Sequence, residues 1–267
     1  MVDLKIPIGV EARMSTLSND SEIVSYAGPA LRKRSAFIVK QAERYVEQTL
    51  RSQPKVLDIG CGLGSISLAM GQKGYKVVGV DMDPNTVSFC NKRNQLPNID
   101  FKVGDGENLD LGDTFDIVIA SEVLEHSPHP ESVIRSMSKH LRENGIGLLS
   151  VPNGYCPWEL VVSRCIQKSK LGRLLYGSTK AYMALTGSKV PFYSMNVDCF
   201  HVWFFSFDKL ERMLIRNGFK LILVCHSDLG ILPEWSSFQP LKRIECSLAD
   251  IVPRRLAGGW LVVIRKN

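Results

Sequence analysis

Long hydrophobic runs are absent from this sequence of 267 residues. No apolar stretch reaches the length of about 18 residues that is needed to cross a bilayer. The first residues, MVDLKIPIGVEARMS, also lack the charged and then apolar order of a signal peptide. We therefore expect a cytoplasmic globular protein, and the 45% share of hydrophobic residues is sufficient for a core.

Paired cysteines are absent as well. The seven cysteines stand at scattered positions without a C-x-x-C pair, which argues against a disulfide framework and against a zinc knuckle. We expect them to be reduced and to behave as small apolar side chains. Cys61 lies within a glycine-rich loop, where we expect it to fill space rather than to react.

Acidic residues are absent between Leu160 and Val197, whereas six basic residues occur there. The whole chain has a net charge of +6, so the rest of the chain is neutral in sum. Because the segment is also rich in aromatic residues, it suits peripheral contact with an anionic membrane through residues 160–197 or recognition of a polyanionic acceptor. A lid with its apolar side on the protein is the alternative. Nucleic acid is disfavoured, since the patch is short and no RNA-binding module accompanies it. The basic residues are Arg164, Lys168, Lys170, Arg173, Lys180 and Lys189.

Strand and helix patterns alternate along the chain from Lys55 onward. Near-continuous apolar strands separated by helices indicate an α/β fold with a mainly parallel sheet that is covered on both faces. One helix is expected from about Pro130 to Glu143, with a left-handed stop at Asn144, and another around residues 241–251. The predicted strands are KVLDI, KVVGV, IDFKV, FDIVIA, IGLLSV, FKLILVC and GGWLVVIRK.

We predict a single domain with four regions. Residues 1–54 form an N-terminal helical region, and residues 55–151 form the ligand-binding core. Residues 152–205 are too long for an ordinary connection and carry helical patterning of their own, so they predict a basic and aromatic helical insertion after the fifth strand, serving as a substrate lid. Residues 206–267 supply a C-terminal helix and the last two strands.

Three alternating glycines, Gly60, Gly62 and Gly64, follow the first strand and precede a helix. Glycine lets the backbone turn sharply and lets a ligand approach the N–H groups. A triphosphate-binding loop is excluded, because Gly64 is followed by Ser65 rather than by a lysine. A dinucleotide-binding loop is disfavoured, because Ser65 stands at the position of its third glycine. It stays open as an alternative.

Aspartates stand at the carboxyl ends of the first three strands, where open α/β sheets bind ligands. These are Asp58, Asp81 and Asp105. The carboxylate of Asp81 can accept hydrogen bonds from both hydroxyls of a ribose. Carboxylates close to the glycines suit a ligand with cationic groups better than a pyrophosphate, because like charges repel. S-adenosylmethionine has both an ammonium and a sulfonium group.

These motifs together resemble the class I S-adenosylmethionine-dependent methyltransferases. The resemblance covers roughly Lys55 to Asn153 and is carried by VLDIGCGLG, VVGVDMD, VGDGENL, FDIVIASEVLEH and LRENGIGLLSVPN, in that order. SEVLEH, followed by a proline-bearing turn, is similar to the branch of the quinone-biosynthesis O-methyltransferases. The resemblance implies a Rossmann-like sheet of seven strands in the order 3-2-1-4-5-7-6, with the last strand antiparallel.

The resemblance also implies a cofactor site for S-adenosylmethionine. Asp58 and the glycine loop would line the methionine end of the cofactor, Asp81 would bind the ribose hydroxyls, and Met82 would pack near the adenine. The loop after the third strand would meet the adenine edge. The implied cofactor-binding residues are Asp58, Gly60, Cys61, Gly62, Gly64, Asp81, Met82, Asp105, Gly106 and Glu107.

SEVLEH supplies the candidate catalytic residues. Methyl transfer from a sulfonium is an in-line displacement, so a base is needed only if the acceptor must lose a proton. His126 is the candidate base, with Glu122 beside it. If the segment after Ser121 is helical, Glu122, Glu125 and His126 share one face and could bind a divalent ion. The quinone branch's use of magnesium suggests Mg²⁺. His129 is expected to be a surface residue of the turn.

We therefore expect an S-adenosylmethionine-dependent methyltransferase that acts on a small or lipid-linked acceptor, and on an oxygen rather than on a nitrogen or a carbon. One alternative is a methyltransferase-like binding module without turnover, which failure to bind S-adenosylmethionine would favour. The other is an NAD(P)-dependent oxidoreductase, which a titration with NADH would test.

Overall fold

The computed structural model describes residues 29–156, 201–231 and 239–267. Helices and strands are numbered here over those ranges. Among the helices in those ranges, none combines the length and the apolar character needed to span a bilayer. The helices are α1 (Pro29–Thr49), α2 (Ser65–Gln72), α3 (Pro84–Arg93), α4 (Pro130–His140), α5 (Phe207–Arg216) and α6 (Gln239–Leu248). The strands are β1 (Lys55–Ile59), β2 (Lys76–Asp81), β3 (Ile99–Val103), β4 (Phe115–Ser121), β5 (Leu141–Pro152), β6 (Phe219–His226) and β7 (Gly259–Lys266).

All seven strands form one sheet in the order β3-β2-β1-β4-β5-β7-β6. The first five strands run parallel to one another, and β7 is antiparallel to both β5 and β6. This order and direction confirm the predicted fold. Because the carboxyl ends of β1, β2, β3, β4 and β5 meet at one edge of the sheet, the loops that follow them lie together.

Two helix boundaries differ from the prediction. Helix α4 ends at His140 rather than at Glu143, because Leu141 already pairs with Phe115 in the ladder between β4 and β5. Asn144 does have the expected left-handed backbone, with φ of 64°, but it lies inside β5, where the register of the two strands shifts. Helix α6 spans Gln239–Leu248 and so lies two to three residues earlier than expected.

Side-chain caps begin two of the helices as their sequences indicate. The carboxylate of Asp83 accepts hydrogen bonds from the backbone N–H groups of Asn85 and Thr86 at the start of α3. The hydroxyl of Ser206 accepts one from the N–H of Lys209 at the start of α5. Such caps satisfy N–H groups that have no partner within the helix. They fix where each helix leaves the ligand-binding edge of the sheet.

Buried apolar side chains fill both faces of the sheet, as its near-continuous apolar strands require. On one face α4 and α5 contribute Met137 and Leu210, which are fully buried beside Trp260 of β7. On the other face Ile38 of α1 and Met70 of α2 are fully buried. With both faces covered by helices, the carboxyl edge of the strands is the place where polar side chains can collect around a ligand.

The cysteines in the described ranges are all free, as expected. Most of the predicted insertion, including the basic segment 160–197, lies outside the described residues. The predicted lid and the predicted membrane contact therefore stay predictions. The free cysteines are Cys61, Cys90, Cys156, Cys225 and Cys246.

Candidate active site

The glycine loop has the backbone that its sequence indicates. Gly60, Gly62 and Gly64 all have positive φ, at 67°, 51° and 77°, a region that side chains with a Cβ rarely adopt. The N–H groups of Gly60 and Cys61 both donate to the carbonyl of Val80, at 2.7 and 3.0 Å. The loop is thereby tied to β2, and it crosses the carboxyl edge of the sheet.

The glycines differ in what a side chain would meet. A Cβ on Gly60 would lie 2.6 Å from Cγ2 of Val123, so this glycine allows the loop to pack against the segment after β4. A Cβ on Gly62 would have nothing within 4 Å. The outer side of the loop at Gly62 is therefore open, and a ligand can approach the backbone there.

Asp81 ends β2 beside this opening. Its Oδ2 accepts a hydrogen bond from the N–H of Gly62 at 2.9 Å, and its Oδ1 accepts one from the N–H of Asp83 at 3.0 Å. A carboxylate can accept about four hydrogen bonds, so two positions are left for a ligand's hydroxyls. The neighbouring Met82 has 75% of its surface exposed, which leaves a large apolar side chain available at the rim of the site.

Asp58 is a buried carboxyl group under the glycine loop. It is only 2% exposed, and its Oδ2 accepts a hydrogen bond from the hydroxyl of Ser67 at 2.6 Å. Burial raises the pKa of Asp58 most, the Ser67 hydrogen bond opposes this shift, and the negative charge of Asp81 adds to it, so that the pKa lies at about 7. A cationic group bound nearby would favour the ionised form of this carboxyl.

Replacing Asp58 with asparagine is expected to stabilise the protein without cofactor at pH 8, by about 2–4 kcal/mol at 1.36 kcal/mol per pKa unit. The folded pKa of Asp58 lies above the unfolded value of 3.8, so stability is lost as the pH rises from about 4 through about 7. The amide keeps an acceptor for Ser67 and removes the charge. Urea unfolding at pH 5 and pH 8 measures the effect, and the exposed Asp100→Asn is the control. If the pH dependence of stability were the same in the Asp58 variant and the wild type, the raised pKa of Asp58 would be contradicted.

The loop after β3 is joined to the loop after β4. Asp105 accepts hydrogen bonds from the N–H of Glu107 at 2.8 Å and from the side-chain amide of Asn108 at 3.0 Å. Glu107 accepts hydrogen bonds from the hydroxyl of Ser127 at 2.6 Å and from the N–H of His129 at 3.0 Å. Both acids stabilise the loops themselves, and their contact with an adenine stays a prediction.

Two small residues fit closely in the loops after β1 and β3. A Cβ on Gly106 would lie 2.8 Å from Cγ2 of Ile59, so Gly106 lets the loop after β3 pack closely on the end of β1. Cys61 is buried, and burial raises the pKa of its thiol well above the ordinary value. A thiolate is disfavoured there, in line with a space-filling residue.

The segment after β4 is not helical, so the condition for a common helical face of Glu122, Glu125 and His126 is not met. Leu124, Glu125 and His126 form a turn, and α4 begins only at Pro130. Glu122 has a left-handed φ of 57°, which is uncommon for a residue other than glycine and interrupts a right-handed helix.

Glu122 is held by its neighbours at the end of β4. Its Oε2 forms an ion pair with the guanidinium of Arg34 from α1 at 2.9 Å. Its Oε1 accepts a hydrogen bond from the hydroxyl of Ser150 at 2.9 Å, and its N–H donates to the Ser150 carbonyl at 3.0 Å. These contacts give Glu122 a positioning role between α1 and β5, and its catalytic role stays a prediction.

A second set of side chains comes together at the same turn. Glu125 is fully buried, and its Oε1 lies 3.7 Å from Nε2 of His126. The ring of His201 packs edge-on against the ring of His126, with 5.0 Å between the ring centroids. One potential metal-ligand atom from each of these three residues lies within 4.8 Å of the others. We call Glu125, His126 and His201 the histidine cluster.

Backbone hydrogen bonds bring His201 to this cluster. The N–H groups of Val202 and Trp203 both donate to the carbonyl of Glu125, at 2.8 and 3.1 Å. The indole N–H of Trp203 donates to the carbonyl of Pro128 at 2.9 Å. His201 is a site residue that the sequence reasoning missed, because it lies 75 positions after His126 and no local pattern marks the pairing.

The histidine cluster does not fit magnesium. Mg²⁺ prefers carboxylate, carbonyl and water oxygens, whereas imidazole nitrogens suit zinc, iron, nickel and copper. Within the described ranges, Glu122 is not part of the cluster, since Arg34 and Ser150 hold its carboxylate. The expected magnesium set of Glu122, Glu125 and His126 is not assembled.

Comparisons with known proteins agree with the fold and with the glycine loop. Residues 30–224 match the family described as Methyltransferase domain. A ubiquinone biosynthesis O-methyltransferase of Pseudomonas fluorescens (strain Pf0-1) is 37% identical over 103 residues, which are 37% of this chain and 44% of that protein. The protein of the same name from Haemophilus ducreyi is 39% identical over 108 residues, covering 37% of this chain and 45% of its own length. The match thus spans less than half of each of these relatives.

Solved structures extend the similarity of the fold over most of the chain. A crystal structure of an S-adenosylmethionine-dependent methyltransferase from Clostridium acetobutylicum superposes with a TM-score of 0.56. It is 12% identical in sequence and covers 88% of this chain and 92% of its own. At 12% sequence identity, this comparison shows a similarity of the fold alone.

Proposed function

The chain belongs to the methyltransferase domain family as a class I S-adenosylmethionine-dependent methyltransferase, and on that premise we propose that it methylates an oxygen of a small or lipid-linked, quinone-like acceptor. The observation that carries the proposal is the meeting of two sites at one edge of the sheet. The glycine loop with Asp81 lies at the ends of β1 and β2, and the histidine cluster lies just after β4.

The first site fits S-adenosylmethionine. The open side at Gly62 allows the cofactor to approach the backbone, and the two remaining acceptor positions of Asp81 suit the ribose hydroxyls. Met82 offers an exposed apolar surface to the adenine, and Asp58 offers a carboxyl group to the cationic end. The cofactor supplies a methyl group on a positively charged sulfur.

The second site supplies what a hydroxyl acceptor needs. In the displacement the acceptor oxygen bonds to the methyl carbon while the bond from that carbon to sulfur breaks, and the hydroxyl proton must leave. When no metal ion is bound at the histidine cluster, the neutral imidazole of His126 accepts this proton. The carboxylate of Glu125, 3.7 Å from Nε2 of His126, stabilises the imidazolium that forms through its opposite charge.

The relatives support an oxygen as the atom that is methylated. Both curated relatives named above are ubiquinone biosynthesis O-methyltransferases, and their similarity to this chain is confined to about a hundred residues. The choice of a quinone-like acceptor therefore rests on that partial similarity and on the hydroxyl-activating chemistry of the histidine cluster.

A methyl-transfer assay tests the proposal. We expect the protein to convert labelled S-adenosylmethionine to S-adenosylhomocysteine with phenols and catechols, including isoprenoid-linked ones, and to place the label in an ether. Aniline and benzoate analogues of the same ring are the matched controls. Absence of ether formation with every hydroxyl acceptor, or preferential labelling of the amine, would contradict the proposed acceptor class.

His126→Asn is expected to lower the rate of transfer by about 100-fold or more, because a positioned acid–base group contributes at least about that factor. Cofactor affinity should change by less than about twofold, which corresponds to about 0.4 kcal/mol. His129→Asn is the matched control, since His129 is exposed and lies outside the cluster. Equal rates for the wild type and the His126 variant would remove His126 from the chemistry.

A further inference from the structure

We propose that Glu125, His126 and His201 bind a divalent transition-metal ion of the zinc type, and not magnesium. The binding itself is independent of the proposed function, whereas the role of the ion in methyl transfer rests on it. The proposal starts from the disagreement described above, in which Glu122 is held away from Glu125 and His126 by Arg34 and Ser150, and His201 joins them instead.

The ligand chemistry carries the first step. Two imidazole nitrogens and one carboxylate oxygen are characteristic ligands of zinc and of non-haem iron. Glu125, which is fully buried, supplies the carboxylate oxygen, and His126 and His201 supply the imidazole nitrogens. Three protein ligands leave at least one position on a divalent ion open for an exchangeable ligand.

The distances carry the second step. With metal–ligand bonds of about 2.0–2.1 Å, the ligand atoms of a tetrahedral site lie about 3.3 Å from one another. The carboxylate and imidazole atoms of Glu125 and His126 are already 3.7 Å apart, and the whole set lies within 4.8 Å. The rings of His126 and His201 are half-buried, and rotation of these rings would close the remaining distance.

The backbone carries the third step. His126 follows Glu125 directly in the turn, and His201 directly precedes the residues whose N–H groups bind the Glu125 carbonyl. Further along the same segment, the N–H of Gly154 donates to the Phe205 carbonyl at 2.9 Å and joins the segment to the end of β5. All three ligands are therefore attached to backbone that is fixed at both ends of the site.

Within the proposed methyltransferase, the ion would act on the acceptor. A hydroxyl group bound at the open position would have a lowered pKa, so it would lose its proton to water more readily and its oxygen would become a better nucleophile. The metal-bound protein then needs no separate base, and His126 acts as a ligand.

Metal binding is measured directly on the full chain by equilibrium dialysis against Zn²⁺ or Mg²⁺ and by the visible spectrum with Co²⁺. We expect one Zn²⁺ per chain and no competition from millimolar Mg²⁺. Glu125→Gln and His201→Asn should each weaken zinc binding by more than about 100-fold, because even residues that only support ligands contribute about 10–100-fold. His129→Asn and Glu122→Gln should bind zinc as the wild type does. His201→Asn keeps the test valid if the buried Glu125 variant does not fold.

Three results would overturn the proposal. The wild type could bind no zinc at micromolar concentration, the Co²⁺ complex could show a thiolate charge-transfer band that places the ion on cysteine, or binding could depend on Glu122 but not on His201. The outcome is separable from that of the proposed function. Methyl transfer without zinc binding would contradict the metal site and leave His126 as the base. Zinc binding without methyl transfer would support the metal site and contradict the proposed function.

Discussion

Asp81→Ala is expected to weaken the binding of S-adenosylmethionine by about 100-fold or more. Two hydrogen bonds from ribose hydroxyls to a carboxylate contribute about 3 kcal/mol together, and 1.4 kcal/mol corresponds to a factor of ten. The substitution also removes the acceptor for the N–H of Gly62, which holds the glycine loop in place. Calorimetric titration of the variant with S-adenosylmethionine measures the loss.

Two further variants show whether the Asp81 effect is specific. Asp81→Asn keeps one carbonyl oxygen for the Gly62 N–H, so we expect an affinity between those of the wild type and the alanine variant. Asp100→Ala removes an exposed acid of β3 and should leave affinity unchanged. If Asp81→Ala bound the cofactor as tightly as Asp100→Ala, Asp81 would not be the residue that binds the ribose.

Gly62→Ala is expected to abolish cofactor binding at micromolar concentration while the protein stays folded. The new methyl group has nothing within 4 Å in the structure, and it projects into the space where the cofactor approaches the backbone. The left-handed φ of 51° makes alanine unfavourable there by about 1–2 kcal/mol. Titration with S-adenosylmethionine and thermal unfolding measure the two effects separately.

Gly112→Ala is the matched control for this substitution. Gly112 also has a positive φ, of 63°, with nothing within 4 Å of a Cβ, and it precedes β4 at the opposite edge of the sheet. Both variants should lose similar stability, and only Gly62→Ala should lose the cofactor. Equal cofactor affinity in the two variants would mean that the cofactor does not approach the loop at Gly62.

The sheet was predictable because its strands carry local signals. Strands β1 and β3 begin and end where their apolar patterns indicate, at Lys55–Ile59 and Ile99–Val103. The end of α4 was not predictable, because Asn144 and Gly145 form a typical helix stop in sequence. The pairing of Leu141 with Phe115 of β4 depends on the tertiary structure and shortens the helix.

The cofactor end of the site was more predictable than the acceptor end. Gly60, Gly62 and Asp81 follow directly from strand ends, and a parallel sheet necessarily brings such ends together. Arg34 and His201 come from distant parts of the chain, and only the folded structure places them beside Glu122 and His126.

A helix directly after Ser121, the condition for a shared metal-binding face, does not form, and the reason is physical. The N–H of Glu122 donates to the carbonyl of Ser150 in the neighbouring strand, and its φ is left-handed. Pro128 and Pro130 then limit any helix that could form before α4, since proline inside a helix removes a hydrogen bond and clashes with the preceding turn. Spacing along the chain therefore could not identify the residues that share the acceptor site.

The central claim is that the glycine loop and Asp81 bind S-adenosylmethionine, and calorimetric titration of the purified protein tests it most directly. We predict that S-adenosylmethionine and S-adenosylhomocysteine each bind saturably with one molecule per chain. The two compounds should compete for the same site, because both share the ribose and the adenine. Absence of binding by both compounds would contradict the account.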